Sequence, residues 1–379
     1  MTGRAELTRR AKAHGVAVSY RNWRGQPVEV PDETLAAVLA ALGENEVRAD
    51  PAGLVDAAIA AFPARRSWGF AVQLYSLRSR ASWGHGDLHD LADLAAWSGA
   101  DLSADFVLVN PLHAAEPRPP VSPSPYLPMS RHQISPLYLR IEDIPEYQGL
   151  RAGDRAEVEA LAAPLRAANS TAALIDRDAV WAAKLAALEL IRAVPLTARR
   201  RAELDAFLAS DRGAIEAWAT WCAIAEVHGP DWRSWPGALA DPASAEVIAL
   251  RQRLEDRIGF HAWLQWLAAE QLAAAQQAAR RAGMSIGVIT DLAVGAHPGG
   301  ADAWARQDVI VPGISVGAPP DEFNQRGQDW TLPPWHPGRL AAQAGRPLAE
   351  LIAACTRNSG GLRVDHVMGL ARLWWIPAG

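Results

Sequence analysis

The chain has 379 residues and a formal net charge of −5, so it can bury a large core and lacks the basic excess that would point to nucleic acid or an anionic membrane surface. No apolar run approaches the ~18 residues needed to span a bilayer, and the N-terminus, Met1-Thr-Gly-Arg-Ala-Glu, lacks the apolar core of a signal peptide. Cys222 and Cys355 lie far apart and form no CxxC or Cys/His metal pattern, which fits buried thiols in a reducing compartment and places the protein in the cytoplasm.

Residues 1–46 read as a helical N-terminal unit. Leu7 to Gly15 forms a short amphipathic helix. Pro31-Asp32-Glu33-Thr34 opens a second, with Leu35, Val38, Leu39 and Leu42 on one face and Gly43 closing it. Residues 47–66 are rich in Ala and Pro and read as a linker. From residue 67 to 379 the pattern is catalytic in style. Phe70 to Tyr75 is a buried strand, the Ser82 to Asp87 loop follows, Leu88 to Trp97 is a helix, and Phe106 to Asn110 is a second continuous apolar strand. Strand, helix and strand at this spacing make a βαβ unit, and uninterrupted apolar strands predict a parallel sheet.

Residues 114–137 form a Pro/Ser-rich loop, too long for a plain connector. A large helical insertion spans about 140–280, most clearly 151–280, and carries Trp181, Trp218, Trp221, Trp263 and Trp266. Ser285 to Asp291 is a third apolar strand that ends in a carboxylate. An irregular loop from Leu292 to Pro337, a helix from Leu340 to Arg357, and a fourth strand from Leu362 to Asp365 complete the pass.

Four strands share one habit: polar or reactive residues stand where the apolar run stops, at Gln73 to Tyr75, at Asn110 with His113, at Asp291, and at Arg363-Val-Asp365-His366. In a parallel barrel those ends converge on one face. A single Asp at a strand end is more often a helix cap, but four such ends together point to a shared pocket. The expected fold is therefore α/β: the N-terminal part (strands 1–4, in that order) of a (β/α)₈ barrel. The helical insertion lies between strands two and three, and the small N-terminal helical unit packs outside. The 16 Trp against 6 Phe and 5 Tyr suit sugar-stacking grooves, although buried filler is the commoner fate of any one indole. His85, His113 and His297 lack metal-ligand spacing and read as surface or loop histidines. No metal or cofactor is implied.

Three motifs carry a resemblance. Ser124-Pro-Tyr126-Leu-Pro-Met-Ser130-Arg131 followed by Pro136-Leu-Tyr-Leu139, then Ala318-Pro-Pro-Asp-Glu-Phe-Asn324 with Gly327-Gln-Asp-Trp330, then Leu362-Arg-Val-Asp-His366 occur in the order found in 4-α-glucanotransferases. This family (amylomaltases or disproportionating enzymes, glycoside hydrolase family 77) belongs to the α-amylase superfamily. The resemblance implies retaining transfer of α-1,4-glucan segments between maltooligosaccharides or to glucose, without a cofactor. It implies that Asp365 is the nucleophile, that Arg363 keeps it ionised, and that Tyr126 stacks on the sugar beside the cleaved bond. It further implies that Asp291 binds sugar hydroxyls and that Asn324, Gln328 and Trp330 line the acceptor side. His366 is ranked below Asp365, since it could equally cap the strand end.

The 14 residues after Asp365 contain neither Asp nor Glu, so the second carboxyl group that retaining chemistry needs is not found there. The expectation is an enzyme sequence cut short, with negligible activity of these residues alone. The alternatives are a non-catalytic α-glucan-binding protein and an α-glucan hydrolase.

Overall fold

The computed structural model describes residues 3–43, 66–171, 173–211 and 213–378. The expected linker 47–66 lies outside the described residues apart from Arg66. The N-terminal unit consists of α1 (Arg4–Ala13), β1 (Ser19–Arg21), β2 (Pro27–Glu29) and α2 (Asp32–Leu42), with the two strands antiparallel. The expectation of a purely helical unit is thus corrected, and its first helix starts at Arg4 rather than Leu7. Strands of three residues are too short to leave an alternating signature. Their turn is local chemistry: Asn22 Oδ1 accepts from the backbone N–H groups of Arg24 and Gln26, while Gly25 takes φ 74°. The second helix is as read, with Leu35, Val38, Leu39 and Leu42 all buried. The unit rests on the chain's far end, where Tyr20 meets Trp374 edge-on at 4.9 Å. His336 Nε2 also lies 3.0 Å from the Leu42 carbonyl oxygen.

β3 (Gly69–Val72) opens the main domain and is shorter than read, because Leu74 to Ser76 winds into a 3₁₀ turn. α3 (Leu88–Leu102) follows. Asp87 accepts from the His89 and Asp90 N–H groups and Asp90 reaches back to Asp87 N–H, which completes a capping box. The approach to that cap needs Gly86, since a Cβ there would stand 1.9 Å from the Leu74 carbonyl oxygen. β4 (Phe106–Val109) comes next. The Pro/Ser-rich stretch is not a plain loop: β5 (His113–Ala114) and β6 (Ser130–Ile134) pair antiparallel within it.

Six helices fill the insertion: α4 (Ala152–Ala168), α5 (Arg177–Arg192), α6 (Ala198–Ser210), α7 (Ala214–His228), α8 (Ala245–Arg253) and α9 (Glu255–Arg281). Then come β7 (Gly287–Leu292), α10 (Ala301–Ala305), β8 (Ile314–Ala318) and β9 (Gln328–Leu332). The single helix expected at 340–357 is two, α11 (Pro337–Ala342) and α12 (Arg346–Thr356), broken where Gly345 adopts φ 69°. β10 (Gly361–Val364) and β11 (Trp374–Pro377) complete the order. The stretch read as irregular thus carries two strands, and β8 pairs antiparallel with both β9 and β11.

The main sheet is parallel throughout, in the order β3-β4-β7-β10. That is the strand order and polarity with which a (β/α)₈ barrel begins, with the helical insertion between its second and third strands. One core lies between sheet and helices: Leu88, Leu91 and Ala95 of α3, Val107 and Val109 of β4, Val288 of β7, and Leu272, Ala275 and Ala279 of α9. Each fully buried Val or Leu is worth about 1.5–3 kcal/mol, so this face fixes where the strand ends emerge. The insertion has its own core, and Trp181, Trp218, Trp221, Trp263 and Trp266 are all buried in such clusters. These five indoles are packing, not sugar platforms.

Candidate active site

Parallel register places Arg363 of β10 directly beside Asp291 of β7. Side chains at paired positions share a sheet face, and Asp365, two residues beyond Arg363, falls on that face too. Arg363 Nη1 lies 2.7 Å from both oxygens of Asp291, and its Nη2 lies 2.8 Å from Asp365 Oδ1. One guanidinium therefore bridges two carboxylates at the C-terminal end of the sheet. Exposure divides them: the Asp291 side chain is 5 % exposed, Asp365 25 % and Arg363 42 %. Burial pushes the Asp291 carboxyl above its ordinary range, against the opposing pull of Arg363. The hydrogen bond to Asp291 raises the Arg363 guanidinium in turn.

A second group closes on the first from β9. Trp330 Nε1 donates to Gln328 Oε1 at 3.0 Å, and the indole meets the His366 ring at a centroid distance of 4.6 Å. His366 directly follows Asp365, so this contact ties the β9 strand to the bridged carboxylates. Both Thr331 (φ 59°) and His366 (φ 48°) take left-handed backbone that non-glycine residues seldom adopt. Such conformations persist only where surrounding contacts hold them, and they cluster at functional sites.

The profile of the 4-alpha-glucanotransferase family (glycoside hydrolase family 77) matches residues 72–379. The chain belongs to this family. It is 53% identical over 321 residues to the 4-alpha-glucanotransferase of Mycobacterium tuberculosis, covering 83% of this chain and 44% of that protein. It is 37% identical over 335 residues to the Haemophilus influenzae protein of the same name, covering 83% and 47%. The chain thus spans about half the length of the curated relatives it matches. Among solved structures, the amylomaltase from Corynebacterium glutamicum superposes with a TM-score of 0.84 at 34% identity, covering 99% of this chain and 67% of the other. The amylomaltase from Streptococcus agalactiae in complex with acarbose shares the fold, with a TM-score of 0.69 at 18% identity over 83% of this chain and 62% of that one.

Of the family residues read from the sequence, the structure brings together Asp365, Arg363, Asp291, His366, Trp330 and Gln328. It leaves two apart. Asn324 closes an exposed turn through its backbone, which exchanges bonds with Asp321. Tyr126 is 42 % exposed, with its backbone N–H 3.3 Å from Ser124 Oγ, and makes no hydrogen bond or ring contact with the bridged group among the described residues.

Of the histidines read as surface or loop residues, His85 does lie in a loop but is buried there, and His113 is corrected to a buried strand residue. Burial, with the Arg131 charge beside it, holds the His113 imidazole down at about 3 and so neutral. Asp302 escaped the sequence reading altogether. It is buried and accepts from Ser130 Oγ at 2.6 Å, from Arg131 N–H at 2.8 Å and from His132 Nδ1 at 3.2 Å. Burial alone would raise its pKa, but His132 and Arg131 outweigh it and hold the carboxyl far below the ordinary range. Its partners lie some 170 residues earlier in the chain, so no local signal marks it. Among the described residues no group of three or more His, Cys, Asp or Glu is placed to hold a metal ion, and no helix is long and apolar enough to cross a membrane.

Proposed function

We propose that the full-length gene product carrying this chain is a 4-α-glucanotransferase, which moves α-1,4-glucan segments from one maltooligosaccharide to the 4-hydroxyl of another or of glucose. The observation that carries the reading is the Arg363 bridge between Asp291 and Asp365 at the C-terminal end of the parallel sheet, where barrel enzymes build their sites. Asp365 is the more open carboxylate and takes the nucleophile's role. Its free oxygen attacks the anomeric carbon, the glycosidic bond breaks, and a covalent β-glucosyl ester forms. The incoming 4-hydroxyl then displaces Asp365 and restores the α configuration.

Arg363 keeps the nucleophile ionised through a charge-assisted hydrogen bond and aims it. Asp291, more deeply set and doubly engaged by the same guanidinium, holds sugar hydroxyls. Protonation of the leaving oxygen belongs to a carboxyl group outside this bridged set. Trp330, Gln328 and His366 border the acceptor side, with Tyr126 and Asn324 presented on neighbouring loops to close on bound sugar. Sugar in those subsites keeps water from the ester, which is what favours transfer over hydrolysis. Two free cysteines suit a cytoplasmic setting.

Incubation of maltotriose with the full-length gene product is the test. Glucose with a ladder of longer maltooligosaccharides supports transfer. Reducing-end growth without a ladder assigns a hydrolase instead. Maltotriose binding without turnover, equal in the wild type and in Asp365→Asn, assigns a glucan-binding protein.

A further inference from the structure

The Ser130-Arg131 end of the Ser-Pro-Tyr motif is not used by the mechanism above, yet its arginine is buried to nine-tenths. Among the described residues the Arg131 guanidinium makes no hydrogen bond to a carboxylate, although the nearby Asp302 charge offsets part of the cost of its burial. Asp302 accepts instead from the Arg131 backbone N–H, from Ser130 Oγ and from His132. Arg131 Nη1 donates to two consecutive carbonyl oxygens, Ala293 at 3.2 Å and Val294 at 2.9 Å, and its Nε has no partner among the described residues. Its guanidinium also lies 5.2 Å from the centroid of the Trp335 ring. Taking a guanidinium out of water is costly, and burial lowers its pKa accordingly. Its direct hydrogen bonds go to two backbone carbonyls rather than to Asp302, so the side chain is placed to hold that backbone.

What those carbonyls share is their position. They begin two residues after Asp291, on the segment that leaves β7. The same segment is gripped from the other side by buried His113, whose Nε2 accepts from the Ala293 N–H at 3.2 Å. That bond requires an imidazole with Nε2 unprotonated, and His113 is held neutral. Ala293 therefore has its N–H and its C=O fixed by two side chains from one hairpin, β5 and β6. Asp302 clamps that hairpin by accepting from three successive residues of β6.

We infer that Arg131 and His113 are positioning residues for the reaction: they lock the backbone just beyond Asp291, so that its carboxylate stays aimed at Arg363 and, through Arg363, sets the attack angle of Asp365. Neither touches sugar in this account. The order of action is Asp302 on the β6 hairpin, the hairpin on residues 293 and 294, and these on Asp291, Arg363 and Asp365. The inference rests on the function proposed above.

The test uses the full-length gene product, maltotriose as substrate, and four variants. Arg131→Met and His113→Leu remove the two grips. Arg131→Lys can still reach one carbonyl, and His113→Gln keeps an acceptor near Nε2. A misaimed catalytic group costs about 10–100-fold in rate, so kcat is expected to fall by that factor in Arg131→Met and His113→Leu. KM should stay within about threefold, because Asp291 supplies only part of the sugar binding and the acceptor-side contacts are untouched. Lys and Gln should recover most of the loss. Melting temperature is followed in all four.

If the Met and Leu variants do not fold, the Lys and Gln variants decide: a partial kcat loss at unchanged KM supports the inference, and wild-type kcat overturns it. Wild-type kcat in folded Met and Leu variants overturns it as well. So does a rise in KM alone, or a kcat loss that Lys and Gln fail to relieve. A wild type that does not disproportionate maltotriose sinks the proposed function, and this inference with it.

Discussion

Among the described residues, two places set one arginine between two aspartates, and their surroundings are opposite. Arg140 bonds to Asp87 through Nε at 2.6 Å and Nη2 at 3.0 Å, and to Asp90 through Nη2 at 2.9 Å. Its three side chains are only 5 %, 0 % and 2 % exposed. The carboxylates are also occupied by the capping box of α3 and by the Ser82 hydroxyl. Nothing is left over to meet a substrate, so this group locks a helix start to the insertion.

Arg363 with Asp291 and Asp365 is the same chemistry on an open strand end. Asp365 has one oxygen on Arg363, a quarter of its side chain is exposed, and among the described residues no backbone cap competes for it. Residue type does not distinguish scaffold from site here. Exposure and unspent acceptor capacity do.

The sharpest way to break that comparison is Asp365→Asn. In the full-length gene product the variant is expected to lose the proposed disproportionation by on the order of 10⁴-fold or more, as deletion of a nucleophile does. Its stability should change by less than about 1 kcal/mol, because a partly exposed ion pair contributes little. Maltotriose turnover and a denaturant midpoint read both quantities. A variant that stays active removes Asp365 from the reaction.

Arg140→Met reverses the pattern. Two buried carboxylates lose their partner, so about 3–5 kcal/mol of stability is expected to go, while turnover per folded molecule holds. A denaturation curve that barely moves would mean that the buried group is not scaffold.

A smaller effect concerns Glu226, a further buried acid of the insertion. Burial would raise its pKa, but hydrogen bonds from His261 and Arg257 outweigh it and bring the carboxyl down to about 2. An unfolded glutamate titrates near ~4.3, so the stabilisation from this group is complete above that pH. It is lost as pH falls toward about 2. Glu226→Gln should therefore lower the melting temperature at neutral pH and flatten its decline on acidification. An unchanged acid slope contradicts the assignment.

The mildest change is Trp330→Phe, which keeps a ring against His366 but gives up the bond to Gln328. A hydrogen bond nets about 0.5–1.5 kcal/mol, so acceptor KM should rise by roughly tenfold or less with stability preserved. A change confined to hydrolysis of the donor would move Trp330 away from the acceptor side.

The sequence alone determined what is local. Four apolar strands, their parallel order and the buried face of α2 follow from periodicity, which acts within a few residues. The motifs around Tyr126, Trp330 and Asp365 likewise carried the family. Tertiary structure decided the rest. The strands β1, β2, β5, β6, β8, β9 and β11 are two to five residues long in described stretches, too short for a period to show. The indoles of the insertion fill its core, which composition could not separate from sugar platforms. Arg363 serves Asp291 as well as Asp365, because parallel register joins residues 72 positions apart. Asp302, His113 and Arg131 gain their meaning only when a hairpin folds onto the segment beyond β7. Contacts of that span depend on how the whole chain packs, and no window of neighbouring residues encodes them.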